Sequence, residues 1–396
     1  MKEVRSGYKR TKVGVIPMEW AVKKLGEIGD SKIGLTYSPD DVVDSKGLLV
    51  LRSSNIRNGS LVYEDNVFVN KEVKEELLTK ENDILICARN GSKSLIGKNA
   101  LITSKAINLT FGAFMSIYRS EYNKFLFQMF QTELYKKQIS INLGATINQI
   151  TTKNLNDFIF PIPPIHEQEK IAEILSTWDS AIEKQEQLIE KKKEFKKGLM
   201  QNLYSKGTKK EMLVKSKLGE VPESWKIVKA KEVFKSVSIK NNENEELLSV
   251  TQDKGTIPRS QLEGNVVMPE GSTRGYKLVV PNNFIISLRS FQGGLEISKH
   301  RGIISPAYTV LDNKIEICHD YFKYYFKKEE FISRLNGAIV GIRDGKQISY
   351  ADFGEMFLPV PSLEEQIKIA EILMVADKEI ELLEKELEAL KLQKKG

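Results

Sequence analysis

Apolar residues recur at alternating intervals of four and three near the end of the chain, at Ile369, Leu373, Ala376, Ile380, Leu383, Leu387 and Leu390. That spacing predicts a long helix carrying one apolar stripe, the seam of a coiled coil. The same frame in the middle of the chain falls on Ile171, Leu175, Trp178, Ile182, Gln185, Ile189 and Lys192. There the stripe starts apolar and turns polar, so its partner is not a simple zipper. Ahead of it, short apolar and β-branched runs at 48–51, 84–87, 100–103 and 114–118 predict strands. Turn pairs such as Asn58-Gly59 and Asn90-Gly91 bound them. A helical period over about 122–140 follows, on Phe125, Met129, Leu134 and Ile139. A second series repeats the order, with strands at 247–251, 277–280, 284–288 and 307–311 and a helix near 320–335.

The chain is a duplication. QEKIAEIL at 168–175 returns as QIKIAEIL at 366–373, each opening a long helix just after a Pro-x-Pro turn. Lys12, Gly14, Pro17 and Trp20 return as Lys217, Gly219, Pro222 and Trp225. Trp20 and Trp225 belong to this shared scaffold, which suits core anchors better than stacking platforms. The predicted fold class is α+β: two tandem globular regions of mixed β-sheet and helices, separated by two long antiparallel coiled-coil helices with pseudo-two-fold symmetry. The predicted divisions are 1–160, 161–207, 208–358 and 359–396. After the helix in each copy comes a glycine loop, GATINQIT at 144–151 and GIRDGKQIS at 341–349. Scaffold matches while loops diverge, which predicts related but non-identical binding targets.

Charge adds one fact. Residues 184–217 hold eleven lysines and four glutamates, a surplus equal to the +7 of the whole chain. Any nucleic-acid surface must therefore come from local clustering, not from global charge. The final helix is acidic, with nine acids and six lysines over 364–396, and opposite net charges favour the two helices meeting. No apolar run approaches the roughly 20 residues of a membrane span, and the first residues lack a secretory signal. Cys87 and Cys318 are the only cysteines, far apart and outside any CxxC, which points to a reducing, cytoplasmic setting.

Catalytic chemistry is missing. GSKSLIGKN at 91–99 resembles a phosphate loop, but its glycines are spaced one residue too far and Asn99 stands where a magnesium-binding hydroxyl belongs. His166, His300 and His319 share no metal-ligand spacing, so no metal site is predicted. His166 has Glu364 at the matching place in the second copy, which suits a surface or capping role. No dinucleotide or adenosyl-methionine loop follows a strand.

These features together resemble the specificity subunit of type I restriction–modification systems. The residues that carry the resemblance are PIPPIHEQEKIAEIL (161–175) and PVPSLEEQIKIAEIL (359–373), VIPMEW and EVPESW, and FKKGLMQNLYSKG (195–207). Within the globular regions they are LRSSNIRNG (51–59), DILICARNG (83–91) with LIGK (95–98), and SLRSFQGG (287–294) with RGIISPAYTV (301–310). The resemblance covers essentially the whole chain. It implies two target recognition domains, each reading one half of a split double-stranded DNA site, and a helical spacer that fixes the gap. It also implies docking of two methyltransferase subunits and recruitment of endonuclease/translocase subunits. The chain itself would be non-catalytic and without cofactor. Adenosyl-methionine would belong to the methyltransferase, and ATP with magnesium to the endonuclease. A helix of about 35 residues rises roughly 50 Å, more than one DNA turn of about 34 Å, so successive grooves are within reach. The second helix lacks a counterpart of GLMQNLYSKG, which predicts unequal docking surfaces.

Base readout needs planar or bidentate donors, and phosphate contacts need Lys, Arg or short hydroxyls. In the first domain the candidates are Arg52, Ser53, Asn55, Arg57, Arg89, Asn90, Ser92 and Lys93. In the second they are Arg274, Tyr276, Arg289, Ser290, Gln292, Lys299, Arg301 and Arg343. For subunit docking the candidates are Trp178, Gln185, Phe195, Leu199, Leu383 and Leu390, although as seam residues they also suit packing within the chain. The alternative from another class is a coiled-coil scaffold or adaptor that never touches DNA. It accounts for the helices but not for Arg, Asn and Gln placed in two divergent loop sets.

Overall fold

The run Ile84–Cys87 is apolar throughout because both of its faces are covered. Ile84 and Ile86 pack with Phe125, Leu126, Phe130 and Tyr135, whereas Leu85 and Cys87 pack with Leu49, Leu51, Phe111 and Ile117. Side chains alternate across a strand, so two apolar neighbours select an unbroken apolar run. The computed structural model describes residues 4–143, 148–251, 255–262, 272–286, 294–337 and 348–395. It divides into two units, Met1–Ala181 and Ile182–Gly396.

In the first unit a hairpin of Tyr8–Thr11 and Gly14–Pro17 precedes the domain. Ala21–Lys24 pairs antiparallel with Ile159–Ile162, so the start and finish of the globular region lie side by side. One antiparallel sheet runs in the order Asn99–Leu101, Ile84–Cys87, Met115–Arg119, Asp30–Ile33. A second sheet orders Thr110–Phe111, Leu48–Leu51, Val67–Val69 and Val42–Val43, with its first pair parallel. The helix expected over 122–140 is two helices, Asn123–Met129 and Glu133–Asn142. The Thr132 hydroxyl donates to the Met129 carbonyl at 2.6 Å, a local bond that competes with the helix ladder and lets the chain turn. Phe130 and Tyr135 then stack across the break at 4.5 Å.

The second unit repeats this plan. Leu213–Ser216 and Gly219–Pro222 form its hairpin, and Lys226–Lys229 pairs antiparallel with Phe357–Val360. Its main sheet orders Glu296–Ile297, Phe284–Ile286, Thr309–Asn313, Phe234–Val237, the same sequence of roles as in the first unit. The helix expected at 320–335 is again two, His319–Tyr325 and Glu329–Gly337. Trp225 is buried in the core as expected, while Trp20 is half-buried and donates its indole N–H to Glu167 at 2.9 Å.

Ile165–Lys206 is one helix of 42 residues, about 63 Å long at 1.5 Å per residue. Leu363–Lys395 is the terminal helix. Each begins with the same closure: the amide of Gln168 donates to the Pro163 carbonyl at 2.8 Å, and that of Gln366 to the Pro361 carbonyl at 3.0 Å. The central helix stops at Gly207, whose φ of +67° suits glycine and whose N–H returns to the Leu203 carbonyl.

Within the second unit the two long helices lie antiparallel. Gln185 donates to the Leu383 carbonyl at 3.0 Å, Lys193 pairs with Glu384 at 2.9 Å, and Lys391 pairs with Glu186 at 3.0 Å. Lys192 pairs with Glu379, and Lys196 with Asp377. The polar half of the central stripe therefore closes on the acidic terminal helix around a buried Ile189, Ile380 and Leu387. Exposed ion pairs each contribute about 0.2–1 kcal/mol and weaken with salt. Replacing Lys192, Lys193 and Lys196 by Glu should lower the thermal midpoint at low salt, and most of the difference should vanish in molar salt. A deficit unchanged by salt would assign the seam's stability to packing alone.

Candidate nucleic-acid interface

In the first unit, loops that leave two adjoining strand systems are tied into one surface. The 52–57 segment follows Leu48–Leu51, and the 88–98 segment follows Ile84–Cys87. The Asn90 amide donates to the Ser53 hydroxyl at 3.1 Å, and Lys98 Nζ donates to the Ser53 carbonyl at 3.2 Å. Ser92 N–H donates to Asn90 Oδ1 at 3.0 Å, a side-chain turn that shapes the glycine loop. The 148–150 segment joins as a third wall: the Asn148 amide donates to the Gly91 carbonyl at 3.0 Å and Ile150 N–H to the Ala88 carbonyl at 2.8 Å.

Arg57, Arg89, Ser92 and Lys93 are exposed on this surface, while Arg52, Ser53 and Asn90 are half-buried. The Arg89 guanidinium lies 5.0 Å over the ring of Phe114, itself 56% exposed. Asn55 corrects the expectation: it has no exposed surface. Its Oδ1 accepts from Arg52 N–H at 2.9 Å, and its amide donates to the Val62 carbonyl at 3.0 Å and to Asn66 at 3.2 Å. A buried amide needs partners, and here it finds them in two loops at once, pinning 52–57 to 62–66.

That second loop carries carboxylates the sequence reading passed over. Arg57 Nη1 and Nη2 donate to the two oxygens of Glu64 at 2.9 and 2.7 Å. Arg52 Nη2 donates to Asp65 at 2.8 Å. The guanidinium of Arg57 holds the Glu64 carboxyl below its ordinary value, and Glu64 in turn raises Arg57. In sequence the only signal is Glu64-Asp65-Asn66 seven residues beyond Arg57.

In the second unit Asn241, at a φ of +63°, brings the 239–246 segment beside 272–278. Its N–H donates to the Arg274 carbonyl at 3.1 Å, and Leu278 N–H donates to the Ile239 carbonyl at 2.7 Å. Arg274 Nε donates to Glu243 at 3.1 Å and Arg301 Nε to Glu245 at 2.8 Å. Arg274, Lys299 and Arg301 are exposed and Tyr276 is half-buried. Arg289, Ser290, Gln292 and Arg343 lie outside the described residues.

Of the docking candidates, Phe195 is 63% exposed, while Trp178, Gln185, Leu199, Leu383 and Leu390 are half-buried. Leu199 packs on the second domain's core, and Gln185 is bound to the terminal helix. Both are committed to packing within this chain. Exposed apolar residues follow another stripe, at Ile174, Leu188 and Phe195 on the central helix and Ile367, Met374, Val375 and Leu382 on the terminal one. Among the described residues no group of histidine, cysteine and carboxylate side chains could hold a metal ion, and no helix is long and apolar enough to cross a membrane.

A family model described as "Type I restriction modification DNA specificity domain" matches this chain twice, over residues 17–191 and 222–392. The chain belongs to that family. The chain is similar to a putative type I restriction enzyme MjaX specificity subunit of Methanocaldococcus jannaschii, 28% identical over 98% of this chain and 94% of that one. It is also similar to the type I restriction enzyme EcoKI specificity subunit of Escherichia coli K12, 33% identical over 41% of this chain and 37% of that one. Among solved structures it shares its fold with the S subunit of a type I system from M. genitalium, with a TM-score of 0.55 at 16% identity, covering 100% of this chain and 96% of that one. A chain from a study of complex assembly in a type I system gives a TM-score of 0.56 at 16% identity, covering 96% of each. The family is non-catalytic, and nothing in these comparisons favours the adaptor reading.

Asn55→Ala should untie the two loops of the first candidate interface. Leaving buried partners of a lost hydrogen bond unsatisfied costs about 1–3 kcal/mol. Amide exchange over 52–66 should accelerate while that over 84–87 stays slow. Unchanged protection over 52–66 would show that Asn55 does not hold the two loops together.

Proposed function

We propose that this chain is the DNA-specificity subunit of a type I restriction–modification complex, reading a bipartite, asymmetric double-stranded target. Residues 1–160 are the first target recognition domain and 208–358 the second. Residues 161–207 and 359–396 supply the spacer that sets the distance between half-sites. The observation that carries the reading is one sheet order appearing twice under unlike loops, each set bearing arginines. A repeated scaffold gives the two heads one way of approaching a groove, and different loops give them different base edges to meet. A symmetric homodimer of one domain would read two equal halves; this duplication reads two unequal ones.

In the first domain the reading surface comprises Arg52, Ser53, Arg57, Arg89, Asn90, Ser92 and Lys93, with Asn55 as the residue that holds its loops. In the second it comprises Arg274, Tyr276, Lys299 and Arg301, together with Arg289, Ser290, Gln292 and Arg343 from the sequence reading. Arg, with its planar fork, suits guanine O6 and N7, while Lys and the hydroxyls suit phosphate.

Two methyltransferase subunits dock on the spacer, and endonuclease/translocase subunits join the assembly. Adenosyl-methionine is held by the methyltransferase, and ATP and magnesium by the endonuclease, in a cytoplasmic complex. Outward apolar residues such as Phe195 and Leu382 suit that docking, joined by the half-buried Trp178, Leu383 and Leu390, while Gln185 and Leu199 are also engaged within the chain.

Exchanging residues 17–160 for another domain of this family should change one half of the methylated sequence and leave the other intact, as read by methylation mapping in cells holding the whole complex. Unaltered specificity after the exchange would refute modular reading. Adding one heptad within 184–197 should change the spacer and neither half-site. The same spacer in the map would dismiss the helices as the measuring element.

A further inference from the structure

Four arginines of the candidate reading surfaces are each held by a neighbouring carboxylate. They are Arg52 by Asp65, Arg57 by Glu64, Arg274 by Glu243 and Arg301 by Glu245. The pairing recurs in both units although their loops share little sequence. Stability does not account for it, since partly and fully exposed pairs of this kind contribute little. In the first domain the carboxylates are also fixed in place, because buried Asn55 ties the loop bearing Glu64 and Asp65 to the loop bearing the arginines.

Resting on the reading of these loops as DNA-contacting, we propose that Glu64, Asp65, Glu243 and Glu245 are specificity-determining residues that keep the arginines off DNA phosphates and release them to matching base edges. The Arg57–Glu64 pair makes the logic explicit. Glu64 occupies both Nη atoms of the fork, the same two donors that a guanine would use. A phosphate can take the arginine, but it leaves Glu64 facing a negative backbone. A guanine·cytosine pair satisfies both partners, because O6 and N7 accept from the arginine while the cytosine N4 amine donates to the carboxylate. The carboxylate thus penalises sequence-independent contact more than matched contact, and so widens the gap between them. It acts through the arginine as a positioning residue.

The test removes charge while keeping hydrogen-bonding shape: Glu64→Gln with Asp65→Asn in the full chain, purified with its methyltransferase subunits. The probe is a 30-base-pair duplex of random sequence, titrated between 50 and 200 mM salt. Each arginine freed to meet a phosphate adds about −0.9 to the slope of log affinity against log salt. The double variant should therefore bind this duplex about tenfold more tightly at 50 mM than the parent and converge on it near 200 mM. Arg52→Ala and Arg57→Ala serve as controls on the underlying reading. If the arginine variants weaken binding to the methylated target but the carboxylate variant leaves affinity and slope for random DNA unchanged, the inference is overturned and the reading of the loop survives. If none of the variants alters binding to either DNA, the loop assignment itself fails and takes the inference with it.

Discussion

A lysine-rich helix lying antiparallel along an acidic one is the contact on which the second unit is organised. The ion pairs of Lys192, Lys193, Lys196 and Lys391 set the register, and Ile189, Ile380 and Leu387 exclude water between them. An apolar seam of this kind tolerates slippage by a heptad, whereas polar pairs at defined positions specify one alignment. The rods are also built into the domain beside them: Leu203, Tyr204, Ile369, Ala370 and Leu373 belong to the same apolar cluster as Phe234, Phe284 and Phe326. A recognition sheet that shares its core with a rod cannot swivel freely on it.

The first unit reaches the same end by different bonds. The Gln128 amide donates to Asp179 on the central helix at 2.9 Å, and in the second unit the Tyr324 hydroxyl donates to Asp377 on the terminal helix at 2.6 Å. The two aspartates sit at matching places in the repeat, and so do the two donors. Side-chain identity has changed while the connection between domain and rod has been kept. The carboxylate that follows the Pro-x-Pro turn has drifted further: Glu167 accepts from the Trp20 indole, whereas Glu365 is buried and accepts from Thr208 N–H at 2.9 Å. A duplicated fold keeps the geometry of a junction more faithfully than its chemistry.

The candidate interface shows how little of a loop surface is independent. Arg52, Ser53, Arg57 and Asn90 are each bonded to a residue from another segment. Rigid loops lose less entropy on binding than floppy ones, and a fixed guanidinium fork discriminates better than a wandering one. Burial of Asn55 belongs to the same arrangement. An amide with one acceptor and two donor hydrogens can join two loops only if no water competes for it, so it lies inside.

The sequence by itself determined the duplication, the order of elements in each copy, the seam of the long helices and the strands at 48–51 and 84–87, because each is written as a local period that survives reading in one dimension. It also placed Trp225 in a core and Arg57 beside the Asn58-Gly59 turn, although Arg57 itself lies in a short strand paired with Ser60. The tertiary structure alone decided what depends on neighbours distant in the chain. The predicted helix over 122–140 breaks at Thr132, and Asn55 is buried where a polar loop residue was expected at the surface. The polar seam positions Gln185 and Lys192 find acceptors about two hundred residues away. The acids Glu64 and Asp65 meet arginines for the same reason: hydrogen bonds and ion pairs are made by proximity in space, and periodicity records only which face of an element is dry.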